Sequence, residues 1–406
     1  MIGPGQRHIA ELDGLRGVAC LSVVIAHCIG GILQANGVVL WPQAIWLTLQ
    51  HFLLGGVDLF FVLSGFLIGG ILIDHRSAGN FFTAFWTRRA GRILPVLFIL
   101  VGSYGLLLAA RPYINAPFLD AWLLMPPLNS PLWYLTFTQT IPMTMTGWGP
   151  GWLAPTWSLA VEEQFYLLFP FLVYLLPPRR LAAVMMSLAV LAPLCRGLVH
   201  HYVEGDAYYI LLPGRMDGLS LGVLVAIAVR SPDLLARLRA YRRPLDVAMW
   251  LFALLIVSNQ FYGWSDALRP VSPLAADTVV TLVYSALALF FALCILRIFL
   301  QPRGLYRRFL AWKPLTWLGL ISYGLYMYHQ PVNGLIHGLL FGQAPQIGSW
   351  QEFIVALLVI STTILLAALS YYFVETPIRR ASQRIDFKPP ADPDARARMS
   401  PAGTAN

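Results

Sequence analysis

Charge is scarce in this sequence. Only 12% of its 406 residues are Asp, Glu, Lys or Arg, against roughly a quarter in soluble domains. At the same time 58% are hydrophobic and the mean hydropathy is +0.66. So little polar surface cannot cover a water-soluble body, so the apolar excess must face lipid. Lysine is nearly missing, with Lys313 and Lys388 the only two among 28 basic residues. The net charge of +9 is therefore an arginine excess, which in a lipid-facing chain reflects topology; no nucleic-acid partner is expected. Cysteine is sparse as well. Cys20, Cys28, Cys195 and Cys294 lie in apolar stretches without CxxC or paired spacing, which argues against a disulfide framework or a zinc site, and no metal is expected. No A-x-A cleavage signal follows the first apolar stretch, which reads as a retained helix.

What is present is a series of apolar runs. A spanning helix needs about 20 mostly apolar residues, and ten runs qualify: 15–33, 52–73, 93–110, 157–176, 181–200, 207–229, 245–262, 277–298, 315–340 and 353–374. The ninth holds Gly, Pro and His and is expected to bend or break. The fold class is all-α, a polytopic membrane protein of about ten transmembrane helices. Basic residues collect in alternate loops: 74–92, 177–180, 230–244, 299–314 and the tail, while the opposite loops hold only Arg111 and Arg269. The positive-inside rule then puts both termini in the cytoplasm. Loop 111–156, rich in Pro, Trp and Gly, is expected to lie on the outer surface as short helices and to roof a cavity. Residues 1–376 form the membrane domain; 377–406 read as a cytoplasmic, structureless tail.

Ionisable residues inside such spans are costly and so become functional candidates. The first helix, "ELDGLRGVACLSVVIAHC", sets Asp13 and Arg16 three apart on one face. Arg16 and His27 are eleven apart, three turns and roughly 16 Å along the axis, on one face again. His27 reads either as a packing residue or as a general base, and spacing leaves both open. Asp58 and Ser64 lie in "GGVDLFFVLSGFLIGG"; a serine among glycines reads as a close helix–helix contact, with a nucleophile as the other reading. Arg88, Arg89 and Arg92 cluster where a helix enters the membrane. The positive-inside rule explains them, and so does an anion site for a coenzyme's phosphates. Glu162 and Glu163 point about 100° apart on their helix, so at least one must face a cavity or a cation. Arg215 and Asp217 read as a charge-compensated pair, His329 sits mid-span in the ninth run, and His200 and His201 read as solvated.

Seven motifs in order, from residue 9 to 376, resemble the acyltransferase-3 family of bacterial membrane acyltransferases. They are "LDGLRG" followed by His27, "GVDLFFVLSGFLI", "RRAGRILP", "TWSLAVEEQFY", "GRMDGLSLG", "SYGLYMYHQP" and "YYFVETPIRR". The resemblance implies a bacterial inner-membrane O-acyltransferase that passes an acyl group, acetyl above all, from acyl-CoA to a hydroxyl of a carbohydrate. It implies that His27 is essential for transfer, that Arg16, Arg89 and Arg92, with Arg88 beside them, serve acyl-CoA, and that Glu163 or Glu162 supplies the motif carboxylate. Asp13, Asp58, Ser64, Arg215, Asp217 and His329 fall to a supporting shell. Some members carry a C-terminal esterase-like domain; the motifs fill this chain, which predicts transfer completed within the membrane domain. The rival reading is a transporter or flippase of a glycan or acyl-linked small molecule, which paired half-repeats with broken helices would favour; none is visible.

Overall fold

The computed structural model describes residues 9–30, 49–50, 52–114, 117–124, 130–203, 205–262, 272–301 and 303–389. Among them every regular element is a helix. Seven helices are long and apolar enough to cross a membrane, or eight if the bent pair Met216–Arg230 and Pro232–Ala240 counts as one span. Two more, Arg242–Tyr262 and Ser322–Phe341, lie where spans are expected but carry more polar residues.

The elements that build the site are α1 (Ala10–Ile25, continued by a π turn Ala26–Gly30), α2 (Gly56–Asp74), α3 (Phe81–Ala110) and α4 (Thr156–Leu175). After them come α5 (Pro178–Tyr202), α6 (Met216–Arg230), α7 (Pro273–Leu300), α8 (Lys313–Leu320) and α9 (Ser322–Phe341). Last are α10 (Trp350–Ser370) and, beyond a π turn Tyr371–Glu375, α11 (Thr376–Gln383).

In lipid the hydrophobic effect does not pull helices together, so close packing and buried polar contacts must do it. Gly65 of α2 and Gly222 of α6 show how. A Cβ on Gly65 would strike the Leu219 carbonyl, and one on Gly222 the Val62 carbonyl. Gly17 of α1 and Gly319 of α8 bring another pair of backbones together in the same way. The ninth expected span is broken, at Ile321 between α8 and α9, while His329 and Pro331 lie within the continuous α9.

Three expectations are corrected. The sixth run, 207–229, is not one helix: a short helix Ala207–Ile210 and a 3₁₀ turn Leu212–Gly214, entered through Pro213, precede α6. Loop 74–92 shrinks to residues 75–80, because α3 starts at Phe81 and carries Arg88, Arg89 and Arg92. The tail keeps its structure past residue 377. Asn80 donates to the Asp386 carbonyl at 2.8 Å, the Lys388 amide donates to Asn80 Oδ1 at 2.8 Å, and Phe387 stacks on His75 at 4.1 Å. Residues 390–406 and Arg269 lie outside the described residues.

The described parts of loop 111–156 fold as short helices, among them Leu132–Leu135 and Thr140–Thr146. They are laced to the bundle: Gln164 of α4 donates to the Phe137 carbonyl at 2.7 Å, Gln139 donates to that of Thr156 at 2.9 Å, and Trp152 to that of Leu100 at 3.2 Å. Gly334 and Gly338 of α9 leave room for Trp122, Leu123 and Phe118 of this cover. The cover is thereby fixed over the end of the bundle remote from the arginine-rich loops.

Candidate active site

α1 delivers Arg16 near one end and His27 in the π turn at the other. Such widened turns recur at functional sites because they redirect a side chain. His27 Nδ1 lies 3.0 Å from the Val23 carbonyl oxygen and 3.3 Å from Nε2 of His329, with the two ring centroids 5.0 Å apart. His329 Nδ1 in turn lies 2.5 Å from the Tyr326 carbonyl oxygen.

These contacts assign the protons of the neutral pair. A carbonyl only accepts, so His329 carries its hydrogen on Nδ1 and turns a lone pair on Nε2 toward His27. His27 Nδ1 then faces two acceptors and must be the donor. His27 Nε2 is left bare, the state a general base requires.

Nearer the arginine-rich end, Arg89 of α3 holds both adjacent glutamates of α4. Its Nη2 is 2.6 Å from Glu163 Oε1 and 3.2 Å from Glu162 Oε2, its Nε donates to Glu163 Oε1 at 2.8 Å, and its guanidinium lies over Tyr166 at 4.5 Å. The planar fork bridges two carboxylates that diverge on their helix. Glu162 and Glu163 are thus engaged with Arg89, and His27 bonds to neither. Tyr166 donates to Ser64 Oγ at 2.7 Å, which ties α4 to α2.

Three cavities line up along this axis. The first, of 330 Å³, is lined by Asp13, Arg16, Arg92, Tyr323, Glu375 and Arg379. The second, of 100 Å³, shares Arg16, Arg92 and Tyr323 with it and adds Arg89, Glu162 and Ser64 among apolar walls. The third, of 580 Å³, contains His27, His329 and Asp58 and is walled by aromatics, including Trp122 and Trp148 from the cover and Tyr209 and Tyr284 from the bundle. Arg16 and Arg92 line the first two without a hydrogen bond or ion pair to any described residue. Asp13 and Glu375 line the first cavity beside them, so its wall carries charges of both signs.

Arg88 stands apart from the rest. It points to the surface, donating to Asp386 Oδ1 at 2.7 Å and to the Ile385 carbonyl at 2.9 Å, and lines none of the three cavities. Arg215 pairs with Asp58 at 2.8 Å, not with Asp217. Asp217 is taken by Arg196 at 2.5 Å and by Ser285 at 2.9 Å. Being two apart, Arg215 and Asp217 point to different sides of the chain, and each meets a partner from another helix. His200 is largely buried on Asp277 at 2.8 Å, and only His201 is half-exposed.

Sequence reasoning passes over Arg196 and Arg379. Arg196 sits fully buried two turns before the end of α5 and also donates to the carbonyls of Gly214 and Thr281; an arginine inside an apolar run was the available signal. Arg379 hides among the basic residues that the positive-inside rule already explains.

The family model described as acyltransferase domain (acyltransferase-3) matches residues 9–372. The chain is 32% identical over 395 residues to the putative peptidoglycan O-acetyltransferase YrhL of Bacillus subtilis (strain 168), covering 92% of this chain and 55% of that protein. It is 30% identical over 390 residues to the O-acetyltransferase OatA of Staphylococcus aureus (strain NCTC 8325 / PS 47), covering 92% and 58%. With the peptidoglycan O-acetyltransferase OatA of Listeria monocytogenes the identity is 26% over 404 residues, covering 92% and 56%. The chain therefore spans little more than half the length of these relatives. No solved structure matches it.

Proposed function

The chain belongs to the acyltransferase-3 family, and from that premise we propose that it moves an acyl group, acetyl in the first instance, from acyl-CoA to a hydroxyl of a cell-envelope carbohydrate. The single observation that carries the reading is the file of three adjoining cavities, with unpaired arginines at one end and a bare imidazole nitrogen at the other.

Ten spans, with both termini and the arginine-rich end in the bacterial cytoplasm, are part of the proposal, as is a membrane domain over 1–376. Acyl-CoA enters from that side, and Arg16 and Arg92 receive its phosphates, with Arg379 beside them. The narrow second cavity suits a pantetheine arm, and the wide aromatic third cavity suits a sugar, whose ring faces stack on Trp and Tyr. Peptidoglycan, named in two of the relatives, is the first acceptor to try. Arg89 serves by fixing Glu162 and Glu163.

At the meeting point the acceptor O–H gives its proton to His27 Nε2 while its oxygen bonds to the thioester carbonyl carbon. The C–S bond then breaks, and the proton passes to the departing thiolate. His27 becomes an imidazolium, and its Nδ1–H is held by Val23 and by the His329 lone pair. This is the orienting role that a carboxylate fills in hydrolytic triads. In the alternative two-step route the same nitrogen bonds to the thioester carbonyl carbon, the C–S bond breaks and the thiolate leaves, and the acceptor oxygen then takes the acyl group from the imidazole while its proton passes to the thiolate.

The test is CoA thiol release by the purified protein with acetyl-CoA and soluble peptidoglycan fragments. Release that requires both the fragments and His27 supports the reading; a folded wild type that releases none with any acyl-CoA removes it.

A further inference from the structure

Among the described residues the second and third cavities share one lining side chain, Tyr326. A thioester passing from one to the other must cross at this residue. Tyr326 sits one turn before His329 on α9, its ring lies 5.6 Å from that of His329, and its carbonyl fixes the His329 tautomer. Phe60 stands edge-on to it at 5.9 Å and completes the wall.

The hydroxyl of Tyr326 is 2.8 Å from Ser158 Oγ, and Ser158 Oγ is 3.3 Å from the Pro155 carbonyl oxygen. Ser158 has one proton and two places to put it. With the proton on the Pro155 carbonyl, Tyr326 donates to Ser158. When Ser158 turns it to Tyr326 instead, across the shorter of the two contacts, the phenolic hydrogen is released toward the cavities.

We propose that the Tyr326 hydroxyl, held by Ser158, is a catalytic residue that donates a hydrogen bond to the oxyanion formed as the acceptor hydroxyl attacks the thioester. The inference rests on the acyl-CoA reading above. As the C–O bond forms, the carbonyl electron pair moves onto oxygen beside Tyr326. As the tetrahedral species collapses, that pair returns, the C–S bond breaks and the thiolate leaves. Tyr326 keeps its proton throughout, and its bond matters only while the oxyanion exists. A donor of that kind raises kcat and leaves ground-state binding alone.

Tyr326→Phe keeps the ring, and with it the wall, and removes only the donor. With acetyl-CoA and peptidoglycan fragments, its kcat is expected to fall about 100- to 1000-fold, the cost of one lost oxyanion-hole donor. KM for acetyl-CoA and the unfolding temperature should stay at the wild-type values. Ser158→Ala, which loosens the donor without deleting it, should lose less. A Tyr326→Phe enzyme within threefold of wild-type kcat overturns the inference and leaves the acyltransferase reading standing. So does a variant whose loss lies wholly in KM. A folded wild type inert toward every acyl-CoA overturns both.

Discussion

His329 turns Nε2 toward Nδ1 of His27 at 3.3 Å, across 302 residues of chain. The pair joins α1, which carries Arg16 to the first cavity, to α9, which carries Tyr326 between the second and third. His27→Ala removes the proposed base and should cost about 100- to 10,000-fold in kcat, the usual worth of positioned proton transfer. His329→Ala leaves the Val23 carbonyl as the only acceptor for His27 Nδ1. It should lower kcat roughly tenfold with KM unchanged. Steady-state kinetics on the two variants check both; equal and complete losses would make His329 more than a partner to His27.

Arg16 and Arg92 face the cavities, and Arg88 faces the chain's own C-terminal segment. Arg16→Ala and Arg92→Ala are expected to raise KM for acetyl-CoA tenfold or more, the loss of a charge-assisted phosphate contact. Arg88→Ala should leave it within twofold. Acetyl-CoA binding by titration calorimetry separates the three, and a large effect at Arg88 would remove the assignment.

Arg89 differs from both. Arg89→Ala would strand Glu162 and Glu163 in the bundle, and breaking a buried pair on one side costs about 3–5 kcal/mol. The expected result is a strongly lowered unfolding temperature in detergent, partly recovered by adding Glu163→Ala. A stable Arg89→Ala protein that fails only in CoA binding would return Arg89 to the phosphate site.

How much of this was readable beforehand follows from chain distance. Arg16 and His27 share one helix, so helical geometry alone puts them in line, whereas the exact place of the break, Ile321, was not legible: Pro331 and His329 lie inside the continuous α9. The His27–His329 and Arg89–Glu163 contacts join residues far apart in sequence, and no local period encodes them. The same limit misled the pairing of Arg215 with Asp217: proximity in sequence suggested a bond, while α2 and α5 brought Asp58 and Arg196 as the actual partners. The docking of residues 385–388 depends on Asn80, Arg88 and His75, which polarity of the tail itself could not reveal.

That tail contact titrates. The Phe387 amide and the Arg88 guanidinium, helped by His75, hold the Asp386 carboxyl below the usual carboxylate range. A depressed carboxylate steadies the docked state above its free value, about 3.9, and that support is lost as pH falls through the lower docked value. The protection of the Lys388 amide, its exchange rate relative to that of the unstructured chain at the same pH, should therefore be high near neutrality and fall in acid, and Asp386→Asn should remove that pH dependence. An unchanged profile in that variant would mean the strap is held by Asn80 and Phe387 alone.

In the proposed reaction an acyl group enters at the arginine-rich end and leaves on the His27 side. The most direct test is a sided one: proteoliposomes supplied with radiolabelled acetyl-CoA on one face and peptidoglycan fragments on the other, wild type beside His27→Ala. The expected result is label on the glycan across the membrane with wild type only, and only when acetyl-CoA meets the arginine-rich face. Equal label with His27→Ala, or transfer only when donor and acceptor share one face, would contradict it.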